Sequence, residues 1–313
     1  MRWTTRKNVR TYDAINIMKK IITVAGGTGN LGGRIVRHLI KRGAKVRAVV
    51  RNGTESEKIA KLKDLGAVVV SVDMSNVEEL RIASEGVSCV VSALSGLRDV
   101  IVDTQTRFLN SAVAAGVQRF IPSDFALDFT RLAEGDNRNF DLRKEFHRTL
   151  DKAPITATSI MNGAFTEILG YGTPVYDFRN YSVGYWGDDP DWKMDFTSMD
   201  NTADYTAAAA LDSDAPRVLR IASFQVSPKD LAAIGGKVKQ KQFKLVRMGG
   251  LEEFAAANKG ERAANPAGEK EVFPSWQNKQ YLHSMFSVHN ETLDNDRYPD
   301  VRWISAADVL SNI

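Results

Sequence analysis

Val24-Ala25-Gly26-Gly27-Thr28-Gly29-Asn30-Leu31-Gly32-Gly33 lies between a short β-branched run, Ile21–Ala25, and an amphipathic segment over residues 31–42. Gly26, Gly29 and Gly32 satisfy GxxGxxG, and Gly27, Gly29 and Gly32 satisfy GxGxxG within the same ten residues. Glycines so spaced permit a tight turn and a close approach of backbone to a pyrophosphate, whose charge meets the amides of a helix N-terminus. Thr28, Asn30 and Leu31 complete that cradle. A glycine motif alone is a weak signal, but one that follows a strand and opens a helix reads as a dinucleotide-binding loop.

Working outward, Leu31, Ile35 and Leu39 share one helix face at spacing four, and Gly43 stops the helix. Strands are expected at 45–50, 67–72, 87–93 and 118–122, with helices at 55–65, 77–84 and 100–115 between them. This alternation is the mark of βαβ units. The expected class is therefore α/β, a Rossmann-type doubly wound parallel sheet with a smaller C-terminal substrate-binding portion.

After Phe125 the chain turns polar and irregular, then returns to helix at 140–150 and to a sixth strand at 155–161. The aromatic stretch YSVGYWGDDPDWKMDF, 181–196, reads as a hairpin outside the main sheet. A helix at 203–211, a strand at 217–222, a helix at 229–235 opened by Ser227 and Pro228, and a polar tail region from Glu252 complete the pass. The expected organisation is an N-terminal arm at 1–17, a dinucleotide-binding domain at 18–153 and a substrate-binding portion at 154–313, some of whose elements return to the sheet.

The chain has 313 residues, 43% hydrophobic and 26% charged, which fits a globular protein with a substantial core. Its apolar runs fall short of the ~18 residues of a membrane span. Forty-two Lys and Arg against 38 Asp and Glu leave +4, much of it from Arg2, Arg6, Lys7 and Arg10, so no nucleic-acid partner is expected. A single cysteine, Cys89, within an apolar run, points to a reducing, cytoplasmic setting. Residues 1–17 lack the apolar core of a secretory signal, and Met18 is an alternative native start.

The end of the second strand distinguishes cofactors, because an acidic residue there holds a ribose hydroxyl and a basic one a 2′-phosphate. Arg51 stands there, so NADP(H) is favoured, and Lys58 offers a second cation. The bland alternatives are a solvated strand-end arginine and a helix-face lysine. Ser92, inside the fourth strand's run, joins the cofactor set. Asp73 is read as a turn residue before a reach toward adenine. At the end of the fifth strand lies PSDFALDFTR, 122–131, which brings Ser123, Asp124 and Phe125 to the crevice where open α/β sheets bind ligands.

Lys144 follows Ser123 in the order of the Ser…Tyr-xxx-Lys set of short-chain dehydrogenases, but Phe140 stands where the tyrosine would be. With GGTGNLGG, Arg51, PSDFALDFTR and IMNGAF (160–165), this resembles the atypical short-chain dehydrogenase group of NmrA-like and isoflavone reductase-like proteins. The resemblance runs from about Lys20 to the C-terminal LDNDRYPDVRWISAADVL. It implies an NADPH-dependent reductase passing hydride to a small acceptor, aromatic or quinone-like. In that reading Lys144 binds the nicotinamide ribose and serves in proton transfer, Ser123 matches the family's strand-five serine, and Asn162 and Phe165 join Asp124 and Phe125 on the substrate side. The alternative it implies is a non-catalytic NADP(H)-sensing regulator acting through a protein partner.

Other constellations carry less. His38, His147, His283 and His289 show no metal-ligand spacing, so no metal is expected. Asp188, Asp189 and Asp191 read as a turn, and Trp186 and Trp192 as packing across the hairpin before a substrate wall. The basic alternation at 237–247 reads as an edge strand with one solvated face before a magnet for an anionic partner.

Overall fold

The computed structural model describes residues 20–313; the arm at 1–17 and Met18 lie outside the described residues. The chain divides into two compact units, each assembled from separate stretches. Among the described residues one comprises 20–123 with 146–159 and 203–218, and the other 124–145, 160–202 and 219–313.

The first unit is built on β1 (Ile21–Ala25), α1 (Asn30–Lys41), β2 (Lys45–Arg51), α2 (Ser56–Asp64), β3 (Val68–Val72), α3 (Val77–Ala83), β4 (Cys89–Ser92), α4 (Gln105–Ala114), β5 (Arg119–Ile121), the end of α5 (Arg138–Leu150) and β6 (Thr156–Ala157). Six parallel strands run in the order β3-β2-β1-β4-β5-β6. Chain order reverses between β1 and β4, which opens a crevice at the strands' C-terminal ends. Every residue of β4 is buried, as a strand packed on both faces requires. Val90, Phe108, Phe120 and Phe146 meet in one core, with Phe120 between the two other rings at 6.4 and 6.2 Å. The helix expected at 100–115 opens with a wide π turn, Asp99–Thr104, before α4 proper.

Residues 203–218 are fixed to this unit by polar ties. Asp204 faces Arg42 Nη2 at 2.8 Å and His38 Nδ1 at 3.1 Å. The buried Arg119 guanidinium donates through its two terminal nitrogens to the carbonyls of Ser213 and Ala215 and to Thr158 Oγ1, which offset part of the cost of burying the charge.

The second unit holds β7 (Ser159–Met161, its first residue excepted), β8 (Ala164–Phe165), β9 (Ser182–Trp186), β10 (Met194–Thr197), the start of α6 (Met199–Leu211), most of β11 (Val218–Arg220), β12 (Phe224–Val226), α7 (Pro228–Lys239), β13 (Lys244–Gly249), α8 (Leu251–Ala264), α9 (Ser275–Met285) and α10 (Ala306–Ser311). β10 lies between β12, antiparallel, and β8, parallel; β9 pairs in parallel with β13. Tyr176, Phe196, Leu231 and Phe286 are among the buried side chains of its core.

Four expectations are corrected here. The strand expected at 155–161 is two: β6 stays in the main sheet, and β7 leaves it for β11 after Thr158, whose hydroxyl Arg119 engages. The hairpin at 181–196 does not form, because β9 and β10 belong to different sheets. Its turn is held outward instead by Asp188 on Arg247 and Asp191 on Lys229, while Trp186 stacks on Phe254 at 4.5 Å and Trp192 meets His289 edge-on. The polar tail region from Glu252 is largely helical: α8, α9 and α10 turn charge outward and bury Trp276, Met285 and Leu310. The basic run at 237–247 is not one strand. Its first three residues end α7, Gln240 turns left-handed at φ 53°, and the strand starts at Lys244.

Candidate active site

The glycine loop closes on itself and on the end of β4. The Gly29 N–H donates to the Gly26 carbonyl at 2.9 Å. Gly26 has φ +82°, and a Cβ there would sit 2.4 Å from the Ala93 carbonyl oxygen; one on Gly32 would sit 2.1 Å from the Gly26 oxygen. These two positions admit no side chain without moving backbone. Thr28, Gly29 and Asn30 form an exposed rim, with Leu31 half-buried and Gly32 buried behind it. α1 begins at this rim with no side chain capping its N-terminus and no acidic residue in its first turn. Its orphan amides are therefore left for an anion, which suits the diphosphate of a dinucleotide.

The other residues of this unit expected at a cofactor take varied positions. Arg51 ends β2 exposed, and its guanidinium has no hydrogen bond or ion pair among the described residues. Lys58 is engaged with Glu55 at 2.8 Å on the exposed face of α2, the helix-face arrangement. The Ser92 hydroxyl is fully buried at the end of β4 and meets no hydrogen-bond partner among the described residues. A buried hydroxyl in that state is completed by a ligand or by water. Ser123 Oγ donates to the Leu94 carbonyl at 2.6 Å, tying the ends of β4 and β5. Asp73 is a turn residue, its carboxylate accepting from the Ser75 N–H and hydroxyl, which hold it below the ordinary carboxylate range.

Sequence reasoning missed Gln105. Its Oε1 accepts the Ser123 N–H at 2.9 Å and its Nε2 donates to the Ile101 carbonyl, so a fully buried amide fixes the backbone after β5. A glutamine amid the apolar positions of a helix was the available signal.

In the second unit, Asp124 and Phe125 are buried on the segment that runs beside Met161 and Gly163, joined by the Ala126–Met161 bridge and by the Gly163 N–H to the Ala126 carbonyl. Asn162 is fully buried there; its Nδ2 donates to the Gly163 carbonyl, and its Oδ1 has no hydrogen-bond partner among the described residues. Phe165 is half-buried on β8. Lys144 projects from α5 with its side chain 14% exposed, Nζ donating to the Leu132 carbonyl at 2.7 Å and standing 3.7 Å from Asp141 Oδ1. Burial pushes the Asp141 carboxyl above the ordinary carboxylate range, against the Gly135 N–H and the Lys144 charge. Phe140, at the position of the missing tyrosine, is turned into the core against Phe129 at 5.8 Å and Tyr281 at 5.1 Å. Among the described residues no cluster of three or more His, Cys, Asp or Glu is arranged to hold a metal.

Known proteins of the same build bear on this arrangement. Pinoresinol reductase 2 of Arabidopsis thaliana is 28% identical over 311 residues, covering 91% of this chain and 94% of the relative. A solved structure of AtPrR2 with NADP+ and (+)-pinoresinol superposes with a TM-score of 0.76 at 25% identity, covering 94% of this chain and 98% of that one. The binary complex of leucoanthocyanidin reductase with NADPH from Vitis vinifera shares the fold, with a TM-score of 0.75 at 16% identity over 93% and 98% of the two chains. The model of the NmrA-like family matches residues 18–303. The chain belongs to the NmrA-like family.

Proposed function

We propose that this chain is an NADPH-dependent reductase acting on a small acceptor, aromatic or quinone-like, with Lys144 in proton transfer. The observation that carries the reading is the uncapped, acid-free start of α1 beside the free guanidinium of Arg51, an anion cradle next to a cation for a 2′-phosphate. The dinucleotide it takes is NADP(H), and relatives named as reductases support turnover over a sensing role. NADPH, when bound, supplies the hydride.

This chain's residues bind, orient and move a proton. Gly26 to Gly32 hold the diphosphate, Arg51 the 2′-phosphate, and the Ser92 hydroxyl offers a buried donor at the strand ends. An ammonium has three N–H donors. At Lys144 one of them is committed to the Leu132 carbonyl, which leaves two for a ribose and an acceptor. Asp141, three residues earlier, keeps a carboxyl beside that ammonium. Asp124, Phe125, Asn162 and Phe165 serve the acceptor, Asn162 through its unbonded buried oxygen.

The test is NADPH consumption with pinoresinol, quinones and aromatic carbonyls. Lys144→Ala is expected to lower turnover about 10²–10⁴-fold, the range of positioned acid–base groups, while NADPH binding falls far less. A protein that binds NADPH tightly and leaves every acceptor unreduced is a sensor.

A further inference from the structure

The outer edge of β13 and the end of α7 form a surface that the coenzyme reading does not use. β13 has β9 as its neighbour on one side and no strand on the other among the described residues. The Lys244 N–H donates toward β9, to the Tyr181 carbonyl, so the intervening residues Leu245 and Arg247 aim their backbone groups away from it. Along this edge Leu245, Val246 and Met248 are each at least 39% exposed. Just before β13, between α7 and the turn 240–243, an open hollow of about 520 Å³ is lined by Ala232, Phe243, Lys237 and Lys241 among others. Lys237, Lys239, Lys241 and Lys244 form no ion pair among the described residues, whereas Arg247 is engaged by Asp188.

We infer that this edge is a docking site for an extended, acidic segment of a partner protein, which adds a strand to β13, lays apolar side chains along the face of Val246 and Met248, and sets carboxylates on the unpaired lysines. Lysine on an exposed edge also guards against self-pairing. A guard, however, needs no exposed apolar side chains, and here Lys244 on the edge, with Lys237, Lys239 and Lys241 on the preceding helix end and turn, accompanies three exposed apolar residues. The charge also selects the occupant. Lysines without ion pairs on this surface favour a strand that carries carboxylates over a second copy of the same lysine-bearing edge. Strand addition uses main-chain hydrogen bonds for affinity and alternate side chains for selectivity, and an acidic strand satisfies both.

The experiment uses the full chain and a fluorescein-labelled peptide alternating glutamate and valine, followed by anisotropy, with the lysine–valine peptide as control. Saturable binding is expected for the glutamate peptide alone, weakened by salt. Lys241→Glu with Lys244→Glu is expected to weaken it about tenfold or more, and Leu245→Pro, which removes an outward N–H, to do likewise. Because both variants are at the surface, unchanged circular dichroism accompanies the loss. Three results overturn the inference: no saturable binding of the glutamate peptide, equal binding of the lysine peptide, or binding untouched by both variants. A dimer seen in sedimentation that Leu245→Pro dissociates also overturns it, by assigning the edge to a second copy.

Discussion

Gly32 and Gly27 sit five residues apart in the same loop, yet an added Cβ meets the Gly26 oxygen at 2.1 Å in one case and the Val36 side chain at 3.4 Å in the other. Gly32→Ala is therefore expected to destabilise by about 1–3 kcal/mol or more, as overpacking against backbone does. Gly27→Ala is expected to stay within about 1 kcal/mol of the native chain; denaturant unfolding measures both. Arg51→Ala is expected to raise the Kd for NADPH about 10–100-fold, the loss of a charged hydrogen bond or two, and to leave the Kd for NADH nearly unchanged. Cys89 makes a third case. Burial pushes its thiol from 9.0 up to about 12, so it should resist alkylation near pH 8 until the chain unfolds. Since the folded value is the higher one, its stabilising contribution is full below about pH 9 and fades from there to about 12. At this scale the loop and Arg51 were legible because their meaning lies in local spacing. Lys144 needed a family's spacing as well. Gln105 and Asp141 were not legible as participants, because Gln105 acts on a backbone 18 residues away and Asp141 through its depth of burial.

Among elements, α1 and the 203–218 stretch are joined by His38, Arg42 and Asp204. Burial works to raise the Asp204 carboxyl, but hydrogen bonds from His38 and Arg42 and the charge of Arg42 outweigh it and hold the group below its ordinary 3.8. A depressed carboxylate stabilises above its unfolded value and loses that contribution as pH falls through the folded one. Asp204→Asn is thus expected to cost about 1–3 kcal/mol at neutral pH, with the gap to the native chain closing below about pH 4; thermal unfolding across pH reads it. Strands β1 to β5 of the main sheet were legible to within a residue or two, because they are apolar runs preceded or followed by glycine, whereas the sixth merged with β7 in one continuous run. The hairpin at 181–196 was not. Its alternation is that of strands, but the partners of β9 and β10 are β13 and β8 with β12, chosen by contacts that a local reading does not contain.

Over the whole chain, each unit is assembled from stretches that alternate in sequence, so residues 203–218 return to the unit of the glycine loop long after the chain has left it. The class of fold was still legible, since the βα alternation from β1 to β5 fixes a parallel sheet, and the order β3-β2-β1-β4-β5-β6 follows from one reversal. The second unit was less so, because its helices α8 to α10 carry mostly polar residues that read as loop and bury only a few side chains, such as Trp276, Met285 and Leu310. On the proposed reading this protein reduces an acceptor with NADPH and uses Lys144 to move the proton. The most direct test is the consumption of stoichiometric NADPH by the full chain and by Lys144→Ala, with pinoresinol, a quinone and an aromatic carbonyl offered in turn. Loss of NADPH absorbance matched by reduced product is expected for at least one acceptor, slowed by about two orders of magnitude or more in the variant. NADPH left intact with every acceptor, or turnover equal in the two proteins, would contradict the reading.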